Sequence, residues 1–212
     1  MIKVEKIDVW GFEHAIRGMR NPKNSWDRSD SYFEDTIDVN SKTYSIGEND
    51  LNLMRQLYKG GSEHRKYLRQ ICVSMDITAP LYWWKEFDTY KVGTTADSCS
   101  TMHKIHAKEF ELDDFSHEHL SEDVIRNPLN ATINCLNFFR ELYLQHKDKD
   151  DWWQMIQLLP SSYNQKRTVT FTYENVVTMI RQRTGHKLDE WNDFVSILKS
   201  LPYVQEIIKI VE

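Results

Sequence analysis

The sequence predicts an α/β (α+β) fold, a single helix-rich domain over residues 1–212 built around a small central β-sheet. Three observations carry this. Clean period-two alternation is confined to two segments, residues 71–77 and 167–173, so the sheet is small. Much of the remaining chain places apolar residues at helical spacing. Seven Gly and five Pro in 212 residues are too few turn formers for an all-β chain, while 12% aromatic residues supply a bulky interior.

Residues 1–9 read as a short strand, ended by Gly11 before a helix that starts at Phe12. Residues 20–49 are polar, carry Pro22 and Gly47, and show no sustained period, so they read as a long excursion with short helical turns. Asp50 reads as the cap of a helix bearing Leu51, Met54, Leu57 and Tyr58 and stopped at Gly60-Gly61, and Ser62 as the cap of a short helix reaching Arg69. Ile71, Val73, Met75 and Ile77 alternate with Cys72, Ser74 and Asp76 as a strand. Thr78-Ala79-Pro80 then reads as a cap opening the helix LYWWKEFDTY, whose apolar residues surround much of its circumference and predict burial on more than one side.

Residues 93–101 are small and hydroxyl-rich, and the acidic stretch at 109–123 reads as surface. An amphipathic helix is expected over residues 128–146 with Leu129, Ile133, Leu136, Leu142 and Tyr143 inward. A further helix, opened by Asp150 or Asp151, ends at Pro160. Val169, Phe171 and Tyr173 mark the second strand, which runs into a helix over 174–183 broken at Gly185. Two terminal helices carry Leu188, Trp191, Phe194 and Leu198, then Val204, Ile207 and Ile208.

Composition excludes several classes of function. A formal charge of −5 disfavours non-specific binding to a nucleic-acid backbone. No secretory h-region or 18-residue apolar stretch is present, so neither export nor a membrane span is expected, and a cytoplasmic location is. Three cysteines, Cys72, Cys99 and Cys135, with no C-x-x-C pair suggest neither a disulfide framework nor a zinc ribbon.

Two constellations can carry chemistry. Residues 90–103 gather Tyr90, Lys91, Thr94, Thr95, Asp97, Ser98, Ser100 and His103, the short donors that converge on a phosphate, although a capped turn has the same composition. Near the C-terminus, Arg181 and Arg183 stand two apart on a helix and point to different faces, so one of them can enter a shared pocket. Arg grips phosphate or carboxylate with two teeth, and helix-end Arg is also favoured by the dipole alone. Cys99 and His103 stand at thiolate–base spacing but lack a third orienting group. His103 with His106, or His117 with His119, forms no metal-binding pattern. The Trp pairs at 83/84 and 152/153 read as core packing rather than as stacking platforms.

The succession of these segments over residues 50–198 resembles the flavin-dependent thymidylate synthases, whose hallmark is RHRxxSxNExSxRY followed by a Leu-Pro, a strand, and a helix bearing an Arg before a Gln-Trp-Glu-like element. Here the first part reads YKVGTTADSCSTMH at residues 90–103, and the second runs from Leu158-Leu159-Pro160 through Arg183 to Asp189-Glu190-Trp191. Tyr90, Lys91 and Val92 fall on Arg-His-Arg, Thr95 on the first serine, Asp97 and Ser98 on Asn-Glu, Ser100 on the second serine, and Met102-His103 on Arg-Tyr. The hallmark arginines are therefore absent, while Arg183 matches the later Arg. Trp83-Trp84 replaces a family Gln, and residues 60–64, ending in His64, loosely echo a His-containing stretch.

The resemblance implies a homotetrameric enzyme that binds a pyrimidine deoxynucleotide and FAD, with methylene-tetrahydrofolate as carbon donor, and that modifies C5 of the uracil ring. It assigns Arg183, Ser100, Ser98, Lys91 and His103 to the nucleotide and Tyr90, Thr95 and His64 to the cofactor, with no metal. In that family the protein binds, orients and polarises rather than supplying a required covalent nucleophile. The alternative is a non-catalytic homo-oligomeric binding or assembly protein on the same scaffold, suggested by the absent arginines and the aromatic excess.

Overall fold

In the computed structural model, residues 2–34, 43–120 and 126–209 are described, residues 126 and 127 by their backbone alone. The elements run β1 (Lys3–Trp10), α1 (Phe12–Arg20), β2 (Tyr32–Phe33), β3 (Tyr44–Ser45), α2 (Glu48–Lys59), β4 (Cys72–Pro80) and α3 (Leu81–Phe87). After these come β5 (Thr95–Ser98), α4 (Thr101–Lys104), α5 (Arg126–His146), α6 (Lys149–Leu158), β6 (Asn164–Thr172), α7 (Tyr173–Arg183), α8 (Asp189–Lys199) and α9 (Val204–Ile208). One four-stranded sheet has the order β1-β4-β6-β5, and β2 pairs antiparallel with β3. Helix predominates around this small sheet, as the sequence predicts.

Hydroxyl partners give the register of the two long strands. Thr168 Oγ1 donates to Asp76 Oδ1 at 2.7 Å and Thr170 Oγ1 bonds Ser74 Oγ at 3.1 Å, so residue numbers run in opposite directions and β4 and β6 are antiparallel. Val73, Met75, Ile77, Val169 and Phe171 are fully buried on the other face. Each such side chain contributes about 1.5–3 kcal/mol by leaving water.

The chain divides into two compact units, each assembled from three segments. The first comprises Met1–Glu5, Asp76–Thr89 and Ala96–Thr168; the second comprises Lys6–Met75, Tyr90–Thr95 and Val169–Glu212. In the first unit, Ile105, Phe110, Phe115, Leu129, Ile133, Leu136 and Met155 form one buried cluster beneath α5 and α6. The acidic stretch predicted as surface thus drives Phe110 and Phe115 inward; its residues 121–123 lie outside the described residues. Asp148, rather than Asp150 or Asp151, caps α6 by accepting from Asp150 N at 3.0 Å.

Thr78-Ala79-Pro80 is the end of β4 and not a side-chain cap. The first free N–H groups of α3 find carbonyls instead, Leu81 N donating to Tyr163 O and Tyr82 N to Ser161 O, each at 3.0 Å. Trp83, Trp84 and Phe87 are buried, as the apolar circumference of this helix predicts.

In the second unit the polar excursion contains turns at Asn21–Lys23 and Trp26–Arg28 and the two short strands β2 and β3; residues 35–42 lie outside the described residues. Its Asp30 caps α2, accepting from Asn49 N at 2.9 Å and Asp50 N at 3.1 Å. Asp50, predicted to be that cap, sits in the first turn, fully buried and ion-paired to Arg20 at 2.6 Å. The helix predicted after Ser62 is a single tight turn at Lys66–Arg69 that buries Tyr67 and Leu68. Gly11 adopts φ +99 against the Gln70 carbonyl, where a Cβ would collide.

Candidate functional site

Arg183 ends α7, and the chain leaves the helix through Thr184 and Gly185, the latter at φ +72. Arg181 is exposed and Arg183 half-buried, the division of faces their spacing requires. Arg183 Nε donates to Tyr90 Oη at 2.8 Å, Nη1 lies 3.1 Å from His186 Nε2, and the guanidinium carbon stands 4.6 Å from the centroid of the Trp191 ring. Tyr90 Oη in turn donates to Gln182 Oε1 at 3.0 Å. Tyr90 and Trp191 are buried, so the cation rests on aromatic walls in a partly dry corner, where cation–π attraction reaches about 2 kcal/mol.

The loop after Tyr90 is held by α7. Asn175 Nδ2 donates to Val92 O at 2.9 Å and meets Thr94 Oγ1 at 3.4 Å, while its Oδ1 accepts from Thr172 Oγ1 at 2.7 Å. Gly93 makes the turn at φ +73 with Asn175 beside it. Pinned in this way, the loop turns Lys91 and Thr95 outward, both exposed, and leaves Val92 90% exposed. The loop therefore presents an ammonium and a hydroxyl on an anchored backbone.

The rest of the hydroxyl-rich segment belongs to the first unit, where its first residues complete the unpredicted edge strand β5. Cys99 N donates to Lys166 O at 2.9 Å and Gln165 Nε2 to Cys99 O at 2.8 Å, fastening the segment to β6. Arg167 braces the same region: Nε donates to Gln165 Oε1 at 3.0 Å, Nη1 pairs with Asp88 at 2.8 Å, and its guanidinium lies 4.2 Å from the Trp84 ring centroid. Ser98 is exposed. Ser100 caps α4, its Oγ accepting from Met102 N at 3.2 Å and His103 N at 3.0 Å, and His103 is exposed on that helix.

His64 is exposed in the second unit, on the wall of an open groove of about 1350 Å³ that also includes Arg20, Asn21, Asn52, Gln56 and Gln70. Of the sequence-predicted site residues, the second unit therefore holds Arg183, Tyr90, Lys91, Thr95 and His64, with Arg183 and Tyr90 in direct contact. Ser98, Ser100 and His103 belong to the first unit. Arg167, Asn175, Gln182 and His186 escaped sequence reasoning. Asn175, three residues after Thr172 where strand passes into helix, had a legible signal in that spacing. Among the described residues no group of three or more His, Cys, Asp or Glu is placed to hold a metal ion, and no helix is long and apolar enough to cross a membrane.

A helix-rich chain with a small antiparallel sheet, β4 leading into an aromatic helix, β6 leading into α7, and an Arg at the end of α7, has a divergent fold of the flavin-dependent thymidylate synthase type. Crystal structures of thymidylate synthase X (ThyX) from Helicobacter pylori share it. One, with FAD and dUMP at 2.31 Å resolution, matches with a TM-score of 0.68 over 97% of this chain and 96% of that one, at 18% identity. A second, complexed with FAD and dUMP, matches with a TM-score of 0.67 over 96% of each chain, again at 18% identity. No protein-family model and no curated protein matches the sequence.

Proposed function

We propose that this chain is a flavin-dependent thymidylate synthase-like protein that binds a pyrimidine deoxynucleotide and FAD and modifies C5 of the uracil ring. The observation that carries the reading is Arg183, a half-buried guanidinium held on Trp191 and Tyr90 at the end of α7, in a fold whose neighbours were crystallised with FAD and dUMP. In this reading Arg183, Lys91, Ser98, Ser100 and His103 serve the nucleotide. Tyr90, Thr95 and His64 serve the cofactor, and Tyr90 also holds Arg183 in place for the nucleotide. The protein acts as a homotetramer in the cytoplasm, with methylene-tetrahydrofolate as carbon donor.

The residues fit phosphate-bearing ligands by the chemistry of their donors, Lys91 toward the nucleotide and Thr95 toward the cofactor. The exposed Lys91 and Thr95 stand on a loop fastened by Asn175, and a fixed set of short donors lowers the entropy lost on gripping an anion. A bound flavin supplies the reducing equivalents. Arg183 orients the nucleotide through charge, and the Asn175 anchor keeps the Lys91 loop from collapsing.

The test is spectroscopic and thermal. The purified protein is expected to retain flavin absorbance through gel filtration or to take up added FAD. A ligand at 100 times its dissociation constant raises stability by about 2.7 kcal/mol. Arg183→Ala is expected to weaken dUMP binding while leaving the FAD shift in place. A colourless protein that takes up no flavin, binds no pyrimidine nucleotide, and melts with strong concentration dependence overturns the proposal in favour of the assembly protein.

A further inference from the structure

In the first unit, one face of α5 is fitted against the chain that follows α4. Asn137 takes both backbone groups of Phe110, its Oδ1 accepting at 2.8 Å and its Nδ2 donating at 2.9 Å. Three residues on, Arg140 Nε donates to His106 O at 3.1 Å. Three further, the Tyr143 ring meets the His106 ring edge-on at 4.9 Å, and Lys147 Nζ lies 5.2 Å from the centroid of the Tyr143 ring. Lys104, two residues before His106, ends α4. Burial first, then the charges of Lys147, Lys104 and Arg140, hold the His106 imidazole below its ordinary pKa, so these cations act together on one ring.

None of the three cations forms an ion pair within 4.0 Å among the described residues, although the chain carries 32 acidic residues against 27 basic ones. Arg140 spends Nε on the His106 carbonyl and has no protein acceptor for its terminal nitrogens among the described residues. A helix dipole accounts for Lys147 beside the last turn of α5 but not for Arg140, because the effect fades within that turn. Like charges around one ring repel, and a bound anion would relieve whatever repulsion water and salt leave at the exposed Lys104 and Lys147. A planar fork with free N–H groups, with Lys147 and Lys104 around the same imidazole, matches the oxygens and double charge of a phosphate better than a single carboxylate.

We infer that Arg140, Lys147 and Lys104 form an anion site for a phosphate group, independent of Arg183. The phosphate is either free or carried by a nucleotide.

The full chain, with its histidine rings labelled for NMR, is titrated with inorganic phosphate against sodium chloride at matched ionic strength. The His106 ring signals are expected to shift saturably with phosphate, and Arg140→Gln/Lys147→Gln to weaken that binding about tenfold or more. Arg183→Gln leaves it unchanged. If uridine 5′-monophosphate reproduces the shift and uridine does not, a nucleotide is the source; if only inorganic phosphate acts, the source is the free ion. Should the double variant misfold, Lys147→Gln alone, at an exposed position, is expected to weaken binding measurably. Shifts reproduced by chloride, or variants that bind phosphate as the parent does, overturn the inference.

Discussion

Asp50→Asn isolates a buried polar contact of the second unit. The Asp50 carboxylate accepts from Arg20 Nε at 2.6 Å, Ser29 Oγ and Ser31 Oγ at 2.7 Å each, and the Asp30 and Ser31 amides at 3.2 Å each. Burial alone would push its pKa up, but the hydrogen bonds from Ser31, Ser29 and Arg20 and the Arg20 charge outweigh it and hold the pKa below the ordinary carboxylate value. Asparagine keeps the volume, removes the charge and turns one acceptor into a donor facing donors. Arg20, with a side chain 5% exposed, is then a buried cation left with the Ser25 carbonyl at 3.1 Å. Breaking one side of a buried pair costs about 3–5 kcal/mol, a large share of the roughly 5–15 kcal/mol that holds a protein folded. Because the folded pKa is lowered, this stabilisation is fully present above the unfolded value of about 3.9 and is lost as pH falls through the folded pKa. Urea unfolding of both proteins from neutral to acid pH reads the difference directly, since the other carboxylates cancel. The gap is expected to be widest at pH 7 and to narrow in acid. A gap under about 1 kcal/mol at pH 7, the size of an exposed pair, or one that does not change with pH, would refute the reasoning.

Asn175→Ala is expected to release the Val92 carbonyl at a cost of about 1–3 kcal/mol and to speed amide exchange across residues 91–95 while the middle of α7 stays protected. Gly11→Ala places a Cβ against the Gln70 carbonyl at a positive φ and is expected to destabilise by more than the roughly 1–3 kcal/mol of backbone strain alone, read in urea unfolding. Trp84→Ala is expected to cost about 3–5 kcal/mol in urea unfolding and to leave both the Gln165 carbonyl and the Arg167 guanidinium without the indole. Arg183→Met, which keeps an apolar stem against Trp191, is expected to lose no more than about 2 kcal/mol of stability while dUMP titration shows weakened binding.

How far the sequence could be read depends on whether its signal was local. Period-two alternation found β4 and β6 because their inward residues are apolar and their outward ones are Thr, Ser and Asp. The circumference of α3 announced its own burial. The two-residue spacing of Arg181 and Arg183 separated an exposed side chain from a half-buried one. Asp50 was misread because the true cap, Asp30, comes from twenty residues away, and no local rule distinguishes a capping Asp from one buried against an Arg. Strand β5 was missed for a related reason. Its four exposed residues have no apolar face, and the chain is held there by β6 and Gln165 rather than by its own pattern.

The same separation explains how a fold can be kept while a site's chemistry changes. Trp83, Trp84, Phe87, Val169 and Phe171 fill the interior, and replacing any of them would cost several kcal/mol, so packing constrains them strongly. The segment where the hallmark arginines would stand is different. Lys91, Val92, Thr95 and Ser98 are exposed, and substitutions at exposed positions commonly change stability by less than about 0.5 kcal/mol. Stability therefore holds these four side chains weakly, whereas Tyr90 and Ser100 of the same segment are held by burial and by hydrogen bonds. Arg183 lies between these extremes. Tyr90, His186 and Trp191 hold it in a half-buried corner, so both packing and charge constrain it.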